Sequence, residues 1–160
     1  LFVTVGAQMP FDRLILAMDE WAGAHPEHTV LAQIGKSELQ PKHMEWSQLT
    51  SPTRFEQCCE EADAMVGHAG IGTLFAALER GKPIVVLPRL ATKRETRNEH
   101  QTATARRFVQ FENVRVAWSE DEVSERLMEL PDMIRSAGDR VIDDAAHGPL
   151  IQALADFIDR

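Results

Sequence analysis

The residues with the most chemical content lie in the middle of the chain. His68-Ala69-Gly70-Ile71-Gly72-Thr73 joins a short apolar run, Asp63 to Gly67, to a stretch with helical spacing. A helix opened by two glycines presents unpaired N–H groups and its positive end to whatever approaches, and Thr73 adds a hydroxyl that caps or donates. This is a place for a phosphate-type anion. The spacing is neither the dinucleotide G-x-G-x-x-G nor a P-loop with its lysine. The same residues are also compatible with a plain βα turn around a buried histidine.

Two other segments have the types to assist. Between Arg89 and Arg107, six cations (Arg89, Lys93, Arg94, Arg97, Arg106, Arg107) face two carboxylates, Glu95 and Glu99, in a protein whose formal net charge is −8. An anion is expected there. Within it Glu95, Asn98 and Gln101 are spaced by three, which puts them on one face wherever the segment is helical, with His100 beside them. Gly6, after the first apolar run, permits close approach of a ligand or a neighbouring loop.

The acidic balance excludes a general nucleic-acid binder, which needs clustered Lys and Arg against phosphates. Cys58 and Cys59 are adjacent in a helical pattern, badly placed to bridge or to chelate, and read as buried thiols in a reducing compartment. No Asp-x-Asp pair is present to hold a metal. No apolar run approaches the roughly 18 to 20 residues of a membrane span, so a cytoplasmic location is expected, with any membrane contact made through a partner.

These residues must be positioned by regular elements, and the chain reads as alternating strands and helices. Strands are expected at Leu1 to Val5, Thr29 to Ile34, Met44 to Leu49 (as an edge), Asp63 to Gly67, Ile84 to Leu87 and Val114 to Trp118. Helices are expected from Phe11, over Phe55 to Ala62, from Ile71 to Arg80 with Gly81 closing it, and from a cap at Asn98 to Phe111. A further helix runs from a Ser119/Glu122 capping box through Leu130, and an amphipathic one over about 149–159. The alternation predicts one α/β domain over 1–160, a mostly parallel sheet with helices on both faces. In such a sheet ligands bind beyond the carboxyl ends of the strands, so the loops after Val5, Val66 and Leu87 share a crevice.

The stretch from Asp63 to Ala105, with Gly-His-Ala-Gly-Ile-Gly-Thr, Gly-Lys-Pro-Ile-Val-Val-Leu-Pro-Arg and Arg-Asn-Glu-His-Gln, resembles the C-terminal domain of family 28 glycosyltransferases. It is most similar to the small subunits of split enzymes, namely the catalytic subunit of the dolichol-pathway UDP-GlcNAc transferase and bacterial exopolysaccharide subunits paired with a membrane-associated companion. Val3-Thr4-Val5-Gly6 with Gln8, Pro10, Phe11, Asp12 and Arg13 resembles the start of the bacterial members. The resemblance implies a Rossmann-like domain equivalent to the C-terminal half of a GT-B enzyme. It further implies a metal-independent hexosyltransferase activity with a UDP-sugar as substrate and no cofactor.

The partner implied is a membrane-associated subunit holding a lipid-linked acceptor, with this chain peripheral at the cytoplasmic face. Gly6, His68, Gly70, Gly72 and Thr73 are implied to line the diphosphate and sugar site. Asn98, His100 and Gln101 match the Asn-x-His-Gln element that holds donor sugar and phosphates, with Arg97 as a nearby cation. His68 is the local candidate for a catalytic base. Where single-chain relatives carry a ribose-binding glutamate, this chain has Ala76. The alternative is a non-catalytic nucleotide-sugar-binding or regulatory domain, with a sugar-nucleotide epimerase fragment a third possibility.

Overall fold

The structure, a computed structural model, describes residues 1–138. Six strands form one parallel sheet: β1 (Phe2–Thr4), β2 (Leu31–Gln33), β3 (Glu45–Ser47), β4 (Met65–His68), β5 (Ile84–Leu87) and β6 (Val114–Val116). Their spatial order is β3-β2-β1-β4-β5-β6, the doubly wound order in which the direction of winding reverses between β1 and β4. The fold is Rossmann-like. The expected strands are all present: β5 has the expected bounds, β4 is shifted to end at His68, and β1, β2, β3 and β6 are shorter because only three residues of each run are in the strand.

Alternation along the strands builds two apolar layers. On one face Val3, Ala32, Val66 and Val85 meet α1 (Asp12–Ala24), α5 (Asp121–Leu127) and α6 (Leu130–Gly138) through Leu14, Ile15, Met18, Val123, Leu127 and Met133. On the other Phe2, Met65, Ile84 and Val86 meet α2 (Pro52–Glu61), α3 (Ile71–Leu78) and α4 (His100–Phe108) through Cys58, Cys59, Leu74 and Phe108. Both cysteines are free and buried, and burial pushes the Cys59 thiol up to about 11.

Three expectations change. The helix expected from Ser119 through Leu130 divides into α5 and α6, because Pro131 has no N–H to continue the α5 ladder, yet suits the first turn of a new helix. The capping box takes another form: Glu122 accepts from the Trp118 N–H at 3.1 Å, and α5 begins at Asp121 with no side-chain cap. Residues 95–99 are not helical, so Glu95, Asn98 and Gln101 share no helix face. The amphipathic helix expected over about 149–159 lies outside the described residues.

The turn after β2 fixes the height of the β1 loop. Gly35 has φ +61, and a Cβ there would stand 2.5 Å from the Gly6 carbonyl oxygen, a backbone atom that cannot swing aside. Gly35→Ala is therefore expected to lower stability by roughly 1–3 kcal/mol through strain alone, read as a shift in the denaturant midpoint with an unchanged slope.

Candidate functional site

The carboxyl ends of β1 and β4 flank the switch point, and the loops leaving them meet there. α3 starts at Ile71 with Gly70 as its N-cap and no side-chain cap. The Ile71, Gly72 and Thr73 N–H groups have no hydrogen-bond partner among the described residues. Neighbouring helix starts are closed differently: Ser51 caps α2 by accepting from the Arg54 N–H, and α1 carries Asp12 in its first turn. α3 has neither cap nor acid, so its positive end stays available to an anion.

His68, the last residue of β4, is wedged between the glycines. A Cβ on Gly6, which has φ +74, would come within 3.1 Å of the imidazole Cε1, and one on Gly70 would overlap its Nε2. Thr73 Oγ1 lies 3.3 Å from His68 Nδ1, and its methyl packs over Gly67, where a Cβ would stand 2.7 Å from Thr73 Cγ2. Gly72 differs from the other glycines of the turn, since a Cβ there would meet nothing within 4 Å. It opens on a hollow of about 430 Å³ lined also by Thr4, Gly6, Gln33, Thr50, Glu56, His68 and Thr73.

The structure thus brings together Gly6, His68, Gly70, Gly72 and Thr73. Arg97 and Asn98 lie on the neighbouring β5–α4 connection, His100 and Gln101 in the first turn of α4, and none of the four lines this hollow. Arg97, Asn98 and His100 are exposed. Asn98 Oδ1 accepts from the His100 N–H at 3.3 Å, one position short of the expected cap, while Gln101 Oε1 accepts from the Arg89 N–H at 3.1 Å.

Part of the basic island, Arg89 and Lys93, is committed to the protein itself. Arg89 is 4% exposed. Its guanidinium donates to the carbonyls of Val5 (2.6 Å), Met9 (2.7 Å), Pro10 (2.6 Å) and Glu95 (3.0 Å), and its Cζ stands 4.7 Å from the centre of the Phe11 ring. Arg13 binds Glu95 through Nε and Nη2, both at 2.8 Å, and Lys93 pairs with Glu120 at 2.9 Å. Glu95 therefore faces inward as an anchor for the connection. Sequence reasoning missed these roles for Arg89, Arg13 and Glu95, since their partners lie far along the chain and four of those for Arg89 are backbone carbonyls.

Burial, aided by the nearby Arg89 charge and opposed by a hydrogen bond to the Thr4 backbone, pushes His68 down to about 4. Burial also lowers Arg89 to about 10, opposed by Glu95, which leaves it charged at neutral pH. Among the described residues no group of three or more His, Cys, Asp or Glu is placed to hold a metal, and no helix is long and apolar enough to cross a membrane.

Arg89→Ala would strand several carbonyls at once. A loss of about 3–5 kcal/mol is expected, with Arg89→Lys recovering only part because a point charge cannot serve the fork of acceptors. Chemical denaturation of the two variants checks this. For His68 the unfolded imidazole binds a proton near 6.5 and the folded one near 4, so its contribution is complete above 6.5 and is lost as pH falls toward 4. The effect is of order 3 kcal/mol. His68→Asn should flatten the stability–pH curve in that window, and the His68 Cε1 proton should titrate near 4 by NMR.

Against known proteins, the profile of the "Glycosyltransferase family 28 C-terminal domain" matches residues 1–156. No curated protein matches. Among solved structures the chain is similar to the glycotransferase of kitacinnamycin (23% identity, TM-score 0.59, 95% of this chain and 37% of that one). It is similar also to the calicheamicin glycosyltransferase (19%, 0.58, 99% and 42%) and to the UDP-GlcNAc 2-epimerase from Neisseria meningitidis bound to UDP-GlcNAc (14%, 0.57, 97% and 44%). At these identities the likeness is one of fold, and the chain spans roughly two fifths of the length of each. The strand order matches the C-terminal half of a GT-B enzyme, the glycine-opened helix stands at its switch point, and the profile runs through nearly every residue: this chain belongs to the family 28 glycosyltransferase C-terminal domains.

Proposed function

We propose that the domain binds the nucleotide-sugar donor of a glycosyl transfer, a UDP-sugar, with its diphosphate against the first turn of α3. The observation that carries the reading is that this one helix start at the switch point is uncapped, free of acid and open in front of Gly72. The similarity in fold to an epimerase structure containing UDP-GlcNAc supports it, as does the family.

In this reading the sugar extends from the phosphates toward Asn98, His100 and Gln101, whose connection Arg89 holds against the β1 loop. As the glycosidic bond breaks, negative charge grows on the leaving diphosphate. The fixed N–H groups of Ile71 to Thr73 meet that charge without reorganising, helped by the positive field of Arg89 and by Arg97, the electrostatic contribution that commonly dominates such catalysis. No step calls on a metal.

His68 stays neutral at physiological pH and is a weak base for a hydroxyl. Its proposed part is to orient Thr73 and fix the entrance of α3, leaving the deprotonation of the acceptor to the other half of the enzyme. That half is proposed to be a membrane-associated partner subunit presenting a polyprenyl-diphosphate-linked saccharide, with this chain peripheral at the cytoplasmic face and the pair acting in exopolysaccharide synthesis. The resemblance to split enzymes supports this assignment.

Gly72→Ala separates binding from folding. The added methyl meets no protein atom and raises helix propensity, so stability should hold or rise by up to about 1 kcal/mol. UDP affinity should fall roughly tenfold or more through lost close approach to the amides. Titration of the wild type should move the amide resonances of Gly70 to Thr73, and resonances unmoved at saturating UDP would overturn the reading. With the partner and a lipid-linked acceptor present, wild-type chain should transfer sugar from its UDP derivative; binding without transfer under any pairing would favour the regulatory alternative.

A further inference from the structure

The residues proposed to meet the sugar end of the donor have little support of their own. Arg97, Asn98 and His100 are exposed, and among the described residues the Asn98 side chain bonds only to the His100 N–H beside it. A short span of this kind takes one position only where the chain around it is tied. Three ties are present. The Glu95 carboxylate accepts from Arg13 Nε and Nη2, both at 2.8 Å, and from the Leu90 N–H at 2.9 Å. Glu99 accepts from the Ala91 N–H at 3.0 Å and from the Thr102 hydroxyl at 3.1 Å, and Gln101 accepts from the Arg89 N–H at 3.1 Å.

The ties differ in what they reach. Those of Glu99 and Gln101 end on Arg89, Ala91 and Thr102, so they fold the β5–α4 connection and the start of α4 onto each other. Glu95 alone of the three is bound to another element, through Arg13 in the first turn of α1. The same guanidinium donates from Nη2 to the Pro88 carbonyl at 2.9 Å, so it holds the connection both where it leaves β5 and just before the exposed span. The pair is two-pronged and enclosed, with the Arg13 and Glu95 side chains only 8% and 11% exposed. Such a pair fixes orientation where a surface ion pair would not. Arg94, immediately before Glu95, takes a φ of +58, a left-handed conformation unfavourable for a residue with a Cβ. Arg89 already fastens the connection beside β5. A second anchor at Glu95 governs the course of the span that follows it.

We infer that Arg13, acting through Glu95, is a positioning residue for donor binding: without touching the donor it sets where Asn98 and His100 stand, and so the affinity for the sugar end. The inference rests on the reading of the α3 start as the diphosphate site and of this span as the place of the sugar. Glu120 supplies the control. It takes Arg13 Nη1 at 3.0 Å and Lys93 at 2.9 Å, so its loss removes an ion-pair partner of Arg13 and leaves both bonds to Glu95.

The test titrates the full chain with UDP, UDP-glucose and UDP-N-acetylglucosamine, for wild type, Glu95→Gln, Arg13→Lys and Glu120→Gln, following the amides of Gly70 to Thr73 and of Thr96 to Gln101. Denaturant unfolding first shows which variants are native under the conditions used. Glu95→Gln keeps an oxygen for the Leu90 N–H and gives up the charged pair, whereas Arg13→Lys keeps the charge and gives up the fork. Each should weaken the UDP-sugar that wild type binds best by about tenfold and UDP by about twofold at most. In the free protein both should shift the Thr96 to His100 amides and leave those of Gly70 to Thr73 in place. Glu120→Gln should bind all three compounds as wild type does. Equal weakening of UDP and UDP-sugar, or weakening of neither, overturns the positioning role, while UDP-induced shifts at Gly70 to Thr73 leave the diphosphate site standing. The same selective loss from Glu120→Gln overturns it too, since the effect then follows from the packing of Arg13 and not from Glu95. Absence of shifts from all three compounds in wild type overturns the inference together with the functional reading beneath it.

Discussion

The arrangement at the strand ends depends on Arg89. Three connections leave the sheet around the switch point, and none is held to the others by strand pairing. One guanidinium joins two of them, taking carbonyls from the β1 loop (Val5, Met9, Pro10) and from its own loop (Glu95) while lying against the Phe11 ring. A planar fork with five donors can bind acceptors in several directions at once, which an ammonium cannot. Burying the charge is costly, as the fall of its pKa to about 10 shows, and the carbonyls with Glu95 offset that cost. The backbone N–H of the same residue then positions the Gln101 side chain.

Around this anchor the polar groups divide into those satisfied by the protein and those left open. Ser51 closes α2, Asn98 takes the His100 N–H near the start of α4, Glu122 takes the N–H that precedes α5, and Arg13 with Glu95 secures the β5–α4 connection. Against that background, the bare first turn of α3 and the free amino group of Gln33 are departures in one neighbourhood. An uncapped, acid-free helix start that opens on the hollow suits an anion there.

Much of this was legible in the sequence because it depends on local rules. Short β-branched runs at Val3, Val66 and Val85 could only be buried strands, and their alternation with helical spacing fixes a parallel sheet. Gly70 and Gly72 marked the opening of α3 through the N–H groups such a start exposes, and the structure adds that a Cβ on Gly70 would strike His68 while one on Gly72 would meet nothing within 4 Å. The commitments of the basic segment were not legible. Arg89 bonded to carbonyls and Arg89 facing a phosphate have the same local sequence, and only the fold brings Val5 and Met9, about 80 residues away, beneath it. The bond from the Thr4 hydroxyl to Gln33 Oε1 was hidden likewise, because register between β1 and β2 decides it. The division of the last described helices turned on Pro131, whose local effect a capping signal at Ser119 masked.

His68 shows how the anchor and the open helix start are linked. Its ring must be neutral to pack between Gly6 and Gly70, and Arg89 lies close enough to oppose its protonation. A neutral ring near Thr73 adds no positive charge of its own, so the proposed anion site depends on fixed dipoles whose strength does not vary between pH 5 and 8. A protonated histidine in that place would bind phosphate more strongly but would hold the leaving diphosphate after the sugar had gone. In the proposed reading, a site without a titrating charge at its centre attracts the donor diphosphate through fixed dipoles alone and lets it go after transfer, with a glycine where closeness to the backbone is needed.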